Sequence, residues 1–174
     1  MAGLLPNPGS LLPAEREAAK SFHYGIAVAL WHPEITESLL QGSFEVFNAC
    51  GIVPSNVRVH RVPGSYELPL AAKWLIEHHQ VDAVVALGCL IRGETQHDDI
   101  IARTVARGLM QISLEWSRPV AFGVLTVATV DQARARAGGE WGNKGAEASV
   151  SAIKMLCLRN TPPNIPDQPY TDTR

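Results

Sequence analysis

Short apolar runs alternate with stretches of helical periodicity along most of this chain, and no other feature restricts its fold as tightly. Tyr24 to Trp31 (YGIAVALW), Val57 to Val62, Asp82 to Leu90 (DAVVALGCL) and Pro119 to Thr126 have the length and apolar content of strands. The first and third show no polar alternation, the mark of strands buried on both faces. From Ile35 to Cys50, the side chains Ile35, Leu39, Leu40, Phe44, Val46 and Phe47 cover one side of a helix, with Pro33 suited to its first turn and Gly51 to its stop. Pro63-Gly64 turns the chain into a second helix reaching about His79. A third runs from about His97 to Trp116 on Ile101, Val105, Leu109 and Ile112. A short helix near Asp131 to Ala137 precedes Gly138-Gly139, and the last helix places Ala146, Val150, Ile153 and Cys157 on one face. Strands and helices in this order make βαβ units, so the expected class is α/β, a parallel sheet covered on both faces with right-handed crossovers.

Composition supports one packed domain and removes several function classes. The 174 residues are 46% hydrophobic and 18% charged, which excludes a disordered tail protein. A net charge of −2, from 15 Lys+Arg against 17 Asp+Glu, offers no basic footprint for nucleic acid or an anionic membrane surface. The apolar runs are too short to span a bilayer, so no membrane partner is expected. Cys50, Cys89 and Cys157 are scattered and odd in number, which suits a reducing, cytoplasmic compartment better than a disulfide framework. His23, His32 and His60 stand too far apart to suggest a metal site. Residues 1–20, with Pro6, Pro8 and Pro13, read as an extended N-terminal arm without a secretory or transit signature. Residues 21–160 read as the domain, and 161–174, with Pro162, Pro163, Pro166 and Pro169, as a Pro-rich tail.

In a parallel sheet, ligands bind beyond the carboxyl ends of the strands, which directs attention to a few short segments. The richest is Leu87 to His97 (LGCLIRGETQH). Gly88 and Gly93 permit close backbone approach, the helix start near His97 offers amide donors to an anion, and Thr95 adds a hydroxyl. His97 stands where a general acid or base could reach a ligand held by that loop. A solvated first helical turn with an incidental histidine explains the same pattern. The segment is neither a Walker A loop nor a three-glycine dinucleotide fingerprint, which disfavours a nucleotide hydrolase and a nicotinamide dehydrogenase. After the second strand, Ser65 and Glu67 could bind hydroxyls, or serve as helix cap and first-turn charge. Trp31 offers a stacking face or simple packing, Arg136 a cation or a solvated surface group, and Asn143-Lys144 a helix cap.

Taken together and in order, several segments resemble the 6,7-dimethyl-8-ribityllumazine synthase family. They are Val62 to Pro69 (VPGSYELP), Ala86-Leu87-Gly88, Ile91 to His97 (IRGETQH), Pro119 to Thr126 (PVAFGVLT), Arg136-Ala137-Gly138 and Gly142 to Gly145 (GNKG). The resemblance spans about Tyr24 to Leu158. It implies a three-layer αβα sandwich, flavodoxin-like, around a four-stranded parallel sheet, assembled into homopentamers that some members close into sixty-subunit shells. The implied reaction joins two small-molecule substrates, 5-amino-6-(D-ribitylamino)uracil and 3,4-dihydroxy-2-butanone 4-phosphate, with release of phosphate and water. It is the penultimate step of riboflavin biosynthesis and implies no metal and no cofactor.

The resemblance also implies roles. Trp31 matches an aromatic that stacks on the pyrimidine, where many members carry Phe. Ser65, Tyr66 and Glu67 match the segment contacting the ribityl chain and ring, and Cys89, Leu90 and Ile91 a backbone-rich pyrimidine contact. Glu94 and Thr95 match the phosphate loop, and His97 the proton-transfer residue. Phe122 and Arg136 match groups that reach the site from a neighbouring subunit, Arg136 on the phosphate. His32 stands where the family commonly has Asn. Two further readings remain at this point: a flavin-binding module built on Trp31, and a structural shell protein. Retention of His97 and Arg136 favours catalysis over flavin binding, which needs neither, while a shell role is compatible with activity. The compact stretch Arg136 to Gly145 resembles shell-forming members, whereas the N-terminal prolines oppose strand pairing between subunits and weigh toward a pentamer.

Overall fold

Every residue of Tyr24–Ala29 (β1) is buried, as the unbroken apolar run requires. The structure, a computed structural model, describes residues 10–160. Strand β1 pairs in parallel on one side with Val57–Val62 (β2) and on the other with Ala83–Ile91 (β3), which in turn pairs with Val120–Val127 (β4). The sheet order is therefore β2-β1-β3-β4. Side-chain alternation along the central strands divides the interior into two cores. Tyr24, Ile26, Val28, Val85 and Leu87 join one core, while Ala27, Ala29, Val84 and Ala86 join the other.

Helix Pro33–Ala49 (α2) and helix Lys144–Asn160 (α6) cover the first core; helices Leu68–His79 (α3) and His97–Trp116 (α4) cover the second. This is the flavodoxin-like three-layer sandwich, with strand and helix bounds within a few residues of those expected from the sequence. In α6 the buried stripe differs from expectation. Ile153 is buried, but Ala146, Val150 and Cys157 are only partly so. The stripe runs instead through Gly145, Ala148, Ser149, Ala152, Ile153 and Leu156. Its serines are tolerated because their hydroxyls donate to backbone: Ser149 Oγ to the Gly145 carbonyl at 2.9 Å, and Ser43 Oγ of α2 to the Leu39 and Gly145 carbonyls at 3.2 Å each.

Two further features depart from the sequence reading. Residues 10–20 are not wholly extended, because Pro13–Ala19 forms a short helix (α1) packed on α6. Pro13 occupies the first turn, where no amide is needed, and Glu15 accepts the Leu12 N–H at 2.7 Å. Leu11 and Ala19 are buried, and Tyr24 Oη donates to the Ala19 carbonyl at 3.1 Å. Proline here starts a helix rather than preventing one. The remaining expected arm, 1–9, and the expected tail, 161–174, lie outside the described residues. The second feature follows Val130–Arg136 (α5), where Ala137–Gly139 (β5) and Gly142–Asn143 (β6) form a small antiparallel hairpin. Asn143 fastens it to the main body, donating from Nδ2 to the Ser38 carbonyl at 2.8 Å and accepting the Gly145 N–H at 2.9 Å.

Helices α2 and α6 approach so closely that a Cβ on Gly145 would stand 2.0 Å from the Leu39 carbonyl oxygen. Backbone cannot yield as a flexible side chain does, so Gly145→Ala must separate the helices. A loss of about 2–3 kcal/mol is expected, read as a lower denaturation midpoint at unchanged slope. A pH effect follows from β2 and α3, where the rings of His60 and His79 meet edge-on with centroids 5.0 Å apart. Burial, and then the charge of His79, lower the His60 pKa from its ordinary value of 6.5. The folded protein therefore takes up this proton later than the unfolded chain does. The contribution is complete above the unfolded pKa and is lost as pH falls through the folded one. His60→Gln is expected to flatten the acid-side decline in stability, measured by denaturant titration across that window.

Candidate active site

The chain winds from β1 outward to β2, then crosses back to β3, so the winding direction reverses between β1 and β3. Such a reversal splays the connections apart and opens a crevice at the carboxyl ends of the strands. A cleft of about 490 Å³ lies there, lined from three strand ends.

After β1 comes Trp31, 69% exposed, whose indole overlies the next strand's turn: a Cβ on Gly64 would lie 3.2 Å from Trp31 Cδ1. His32 also lines the cleft and caps α2 in the left-handed conformation, φ 56° and ψ 59°. Asn, Asp and His are the side chains best suited to that backbone, which accounts for His where the family resemblance expects Asn.

After β2, Ser65–Glu67 form a single 3₁₀ turn before α3 and present Ser65, Tyr66 and Glu67 to the cleft. Glu67 Oε2 accepts the Gly64 N–H at 2.9 Å, which fixes the carboxylate over the turn. Ser65 Oγ is buried without a hydrogen-bond partner among the described residues. It occupies space that only glycine leaves open, since a Cβ on Gly88 of β3 would stand 2.6 Å from it.

The end of β3 supplies Cys89, Leu90 and Ile91, and the loop beyond it supplies Gly93 and Thr95. Burial pushes the Cys89 thiol up to about 11, so it lines the cleft as a small neutral group and not as a nucleophile. Thr95 Oγ1 accepts the His97 N–H at 3.4 Å, and His97 is the first residue of α4. Its imidazole therefore stands beside the backbone of the loop, within the same cleft as Trp31 and Glu67. Burial of apolar surface beside a few fixed polar groups suits a flat heterocycle with a polar substituent.

Three residues expected at the site do not line this cleft. Glu94 is exposed on the loop between Gly93 and Thr95. Phe122 pairs with Ala86, whereas the strand end pairs Ile91 with Val127. Five residues of strand, roughly 16 Å, separate it from that end. Arg136 ends α5, and its guanidinium makes no hydrogen bond or ion pair among the described residues, in contrast to Arg134, which bonds Glu34 and Asp131. Conversely, Gly64, Asp98 and Ile101 line the cleft although nothing in their own sequence context singled them out. Asp98 was visible only as the neighbour of His97, and the others are defined by what packs above them.

The profile of the family described as 6,7-dimethyl-8-ribityllumazine synthase matches residues 21–160. A protein of that name from Porphyromonas gingivalis is 47% identical over 139 residues, covering 80% of this chain and 86% of the relative. Another, from Thermus thermophilus, is 49% identical over 140 residues, covering 80% and 89%. A third, from Cytophaga hutchinsonii, is 49% identical over 133 residues, covering 76% and 84%. With the family's profile matching most of the chain and relatives of that name identical at nearly half of the aligned positions, the chain belongs to the 6,7-dimethyl-8-ribityllumazine synthase family.

Proposed function

We propose that this protein condenses 5-amino-6-(D-ribitylamino)uracil with 3,4-dihydroxy-2-butanone 4-phosphate to form 6,7-dimethyl-8-ribityllumazine, in sites shared between neighbouring subunits of a homopentamer. The observation that carries the reading is the single cleft uniting Trp31, the Ser65–Glu67 turn, the end of β3 and His97. The exposed indole offers a face for the pyrimidine. Ser65 Oγ and the Glu67 carboxylate supply polar contacts for the ribityl hydroxyls, and the Cys89–Ile91 backbone meets the ring edge.

The chemistry needs proton transfers and a stabilised leaving group. An amine of the pyrimidine condenses with the ketone and loses water, phosphate leaves by elimination, and ring closure loses a second water. His97 can take and return protons through these steps, with Thr95 setting the position of its backbone. Phosphate departure calls for a cation, and Arg136 is one without an ion-pair partner among the described residues. Neither Arg136 nor Phe122 reaches the cleft of its own chain, which supports their entry from a neighbour, as the family resemblance implies. Holding two substrates in register accounts for a further part of the acceleration. No step in this scheme needs a metal or redox group from the protein, and a soluble, cytoplasmic enzyme fits the composition.

Purified protein given both substrates is expected to produce the lumazine, followed by its absorbance, with undiminished rate in chelator; a folded assembly without turnover would sink the reading. His97→Ala should reduce kcat by about 10²-fold with little change in either KM, because the proton moves in the transition state. Sharing of sites has its own test. His97→Ala and Arg136→Ala subunits, each impaired alone, are expected to regain activity when unfolded and reassembled together. In a ring of equal parts, about a quarter of the sites then combine both intact residues. If each chain served its own site, mixing would restore nothing.

A further inference from the structure

Spacing along the chain offers no metal signature around His60, yet the fold brings it against a histidine from another element. His60 lies part-buried on the edge strand β2, and His79 is the exposed last residue of α3. Their rings stand with centroids 5.0 Å apart and planes at 81°. Apart from each other, the two imidazoles have no hydrogen-bond or ion-pair partner among the described residues. Both backbones are fixed. His60 is in register with Ala27 of β1. Helix α3 closes at Gln80, left-handed at φ 52°, whose N–H donates to the Ile76 carbonyl at 3.1 Å.

The separation of the rings is the one a shared metal ion imposes. With metal–nitrogen bonds of about 2.1 Å, and roughly 1.1 Å more to each ring centre, ligand angles of about 90–110° put two imidazole centroids about 4.5–5.2 Å apart. The observed 5.0 Å falls in that interval. Turning each ring about its Cβ–Cγ bond, a broad torsion, selects the nitrogen that faces the shared gap. His79 also ends a helix, where the negative end of the dipole favours a cation. No third His, Cys, Asp or Glu among the described residues completes a metal-binding group, so water would fill the remaining positions. Arg58, two residues before His60 and on the same face of β2, opposes a dication and limits the affinity.

We propose that His60 and His79 form a two-histidine site for a divalent transition-metal ion of the zinc class, which clamps the edge strand β2 to the end of α3. Imidazole ligands select zinc-like ions over Mg²⁺ and Ca²⁺, which call for oxygen donors. The place suits a clamp. Strand β2 pairs with β1 alone among the described strands, so its outer edge lacks the ladder that holds the central strands. A metal bridge from β2 to α3 adds a tie between the sheet and its helical layer. Neither histidine lines the cleft, so the site stabilises the fold and takes no part in the reaction proposed above.

The test is calorimetric titration of Zn²⁺ into the intact, chelator-stripped protein near neutral pH, for wild type, His60→Gln, His79→Gln and His78→Gln. Circular dichroism in chelator checks that each variant is folded; if His60→Gln is not, the exposed His79→Gln decides alone. His60→Gln and His79→Gln are each expected to weaken Zn²⁺ binding by about tenfold or more, since loss of even an outer partner of a ligand costs that much. His78→Gln, which removes the neighbouring exposed imidazole, is expected to leave it unchanged. Zn²⁺, but not Mg²⁺, should raise the denaturation midpoint of wild type and His78→Gln and leave that of the other two variants in place. Equal Zn²⁺ affinity in wild type and His79→Gln would overturn the proposal, as would a loss produced by His78→Gln alone. Failure of the proposed reaction is seen separately, as absence of wild-type turnover, because the Zn²⁺ titration does not depend on catalysis.

Discussion

Burial of β1 and β3 on both faces is the constraint from which the remaining architecture follows. Their amides and carbonyls can be satisfied only by neighbouring strands, and their side chains only by a helical layer above and another below. Alanines at Ala27, Ala29, Ala83 and Ala86 keep both layers close to the sheet. Because the strands run parallel, every crossover returns on a helix, and all the carboxyl ends emerge at one edge. The reversal of winding between β1 and β3 then separates Trp31 from the β3–α4 loop by the width of a ligand. The cleft is thus a product of topology, and side chains at the strand ends adapt it to its chemistry.

A second level of organisation depends on small side chains rather than large ones. Gly145 against the Leu39 carbonyl, with Ser43 Oγ donating across to the Gly145 carbonyl, locks α6 to α2. Asn143 then ties the β5–β6 hairpin to the same helix through Ser38. That framework holds the end of α5, and with it Arg136, in a defined place remote from the chain's own cleft. Phe122 is held away from it in a different manner, by its register opposite Ala86. The same packing leaves Arg136 and Phe122, two of the residues that the family resemblance assigns to the site, away from the chain's own cleft.

Within the cleft, electrostatics and sterics are distributed among residues of quite different sequence character. Cys89, the most reactive side chain by type, is made inert by burial. Glu67 is held by the backbone amide of Gly64, the residue that the Trp31 indole overlies. His32 accepts a left-handed backbone so that α2 can begin directly after Trp31. Each is a local compromise that keeps the ends of three strands within reach of one ligand.

Much of this was legible in the residues alone. Apolar runs with period-two or unbroken patterning specify strands, and three- and four-residue spacing specifies helices, because backbone geometry imposes those periods whatever the surroundings. Strand ends in parallel sheets bind ligands for reasons of topology, so Ser65, Glu67, Thr95 and His97 could be named from position and chemistry together. The buried stripe of α6 could not, since Gly145, Ala148 and Ser149 carry little hydrophobic signal and are buried by close helix approach. Nor could the helix at Pro13, where capping by Glu15 and packing of Leu11 outweigh the usual meaning of proline. Gly64, Asp98, Ile101 and the shape of the cleft depend on contacts between segments distant in sequence. The sequence by itself determined which segments become strands and helices and which strand ends carry chemistry; only the tertiary structure decided which of those groups meet, because that depends on register, helix approach and winding direction, which no single segment encodes.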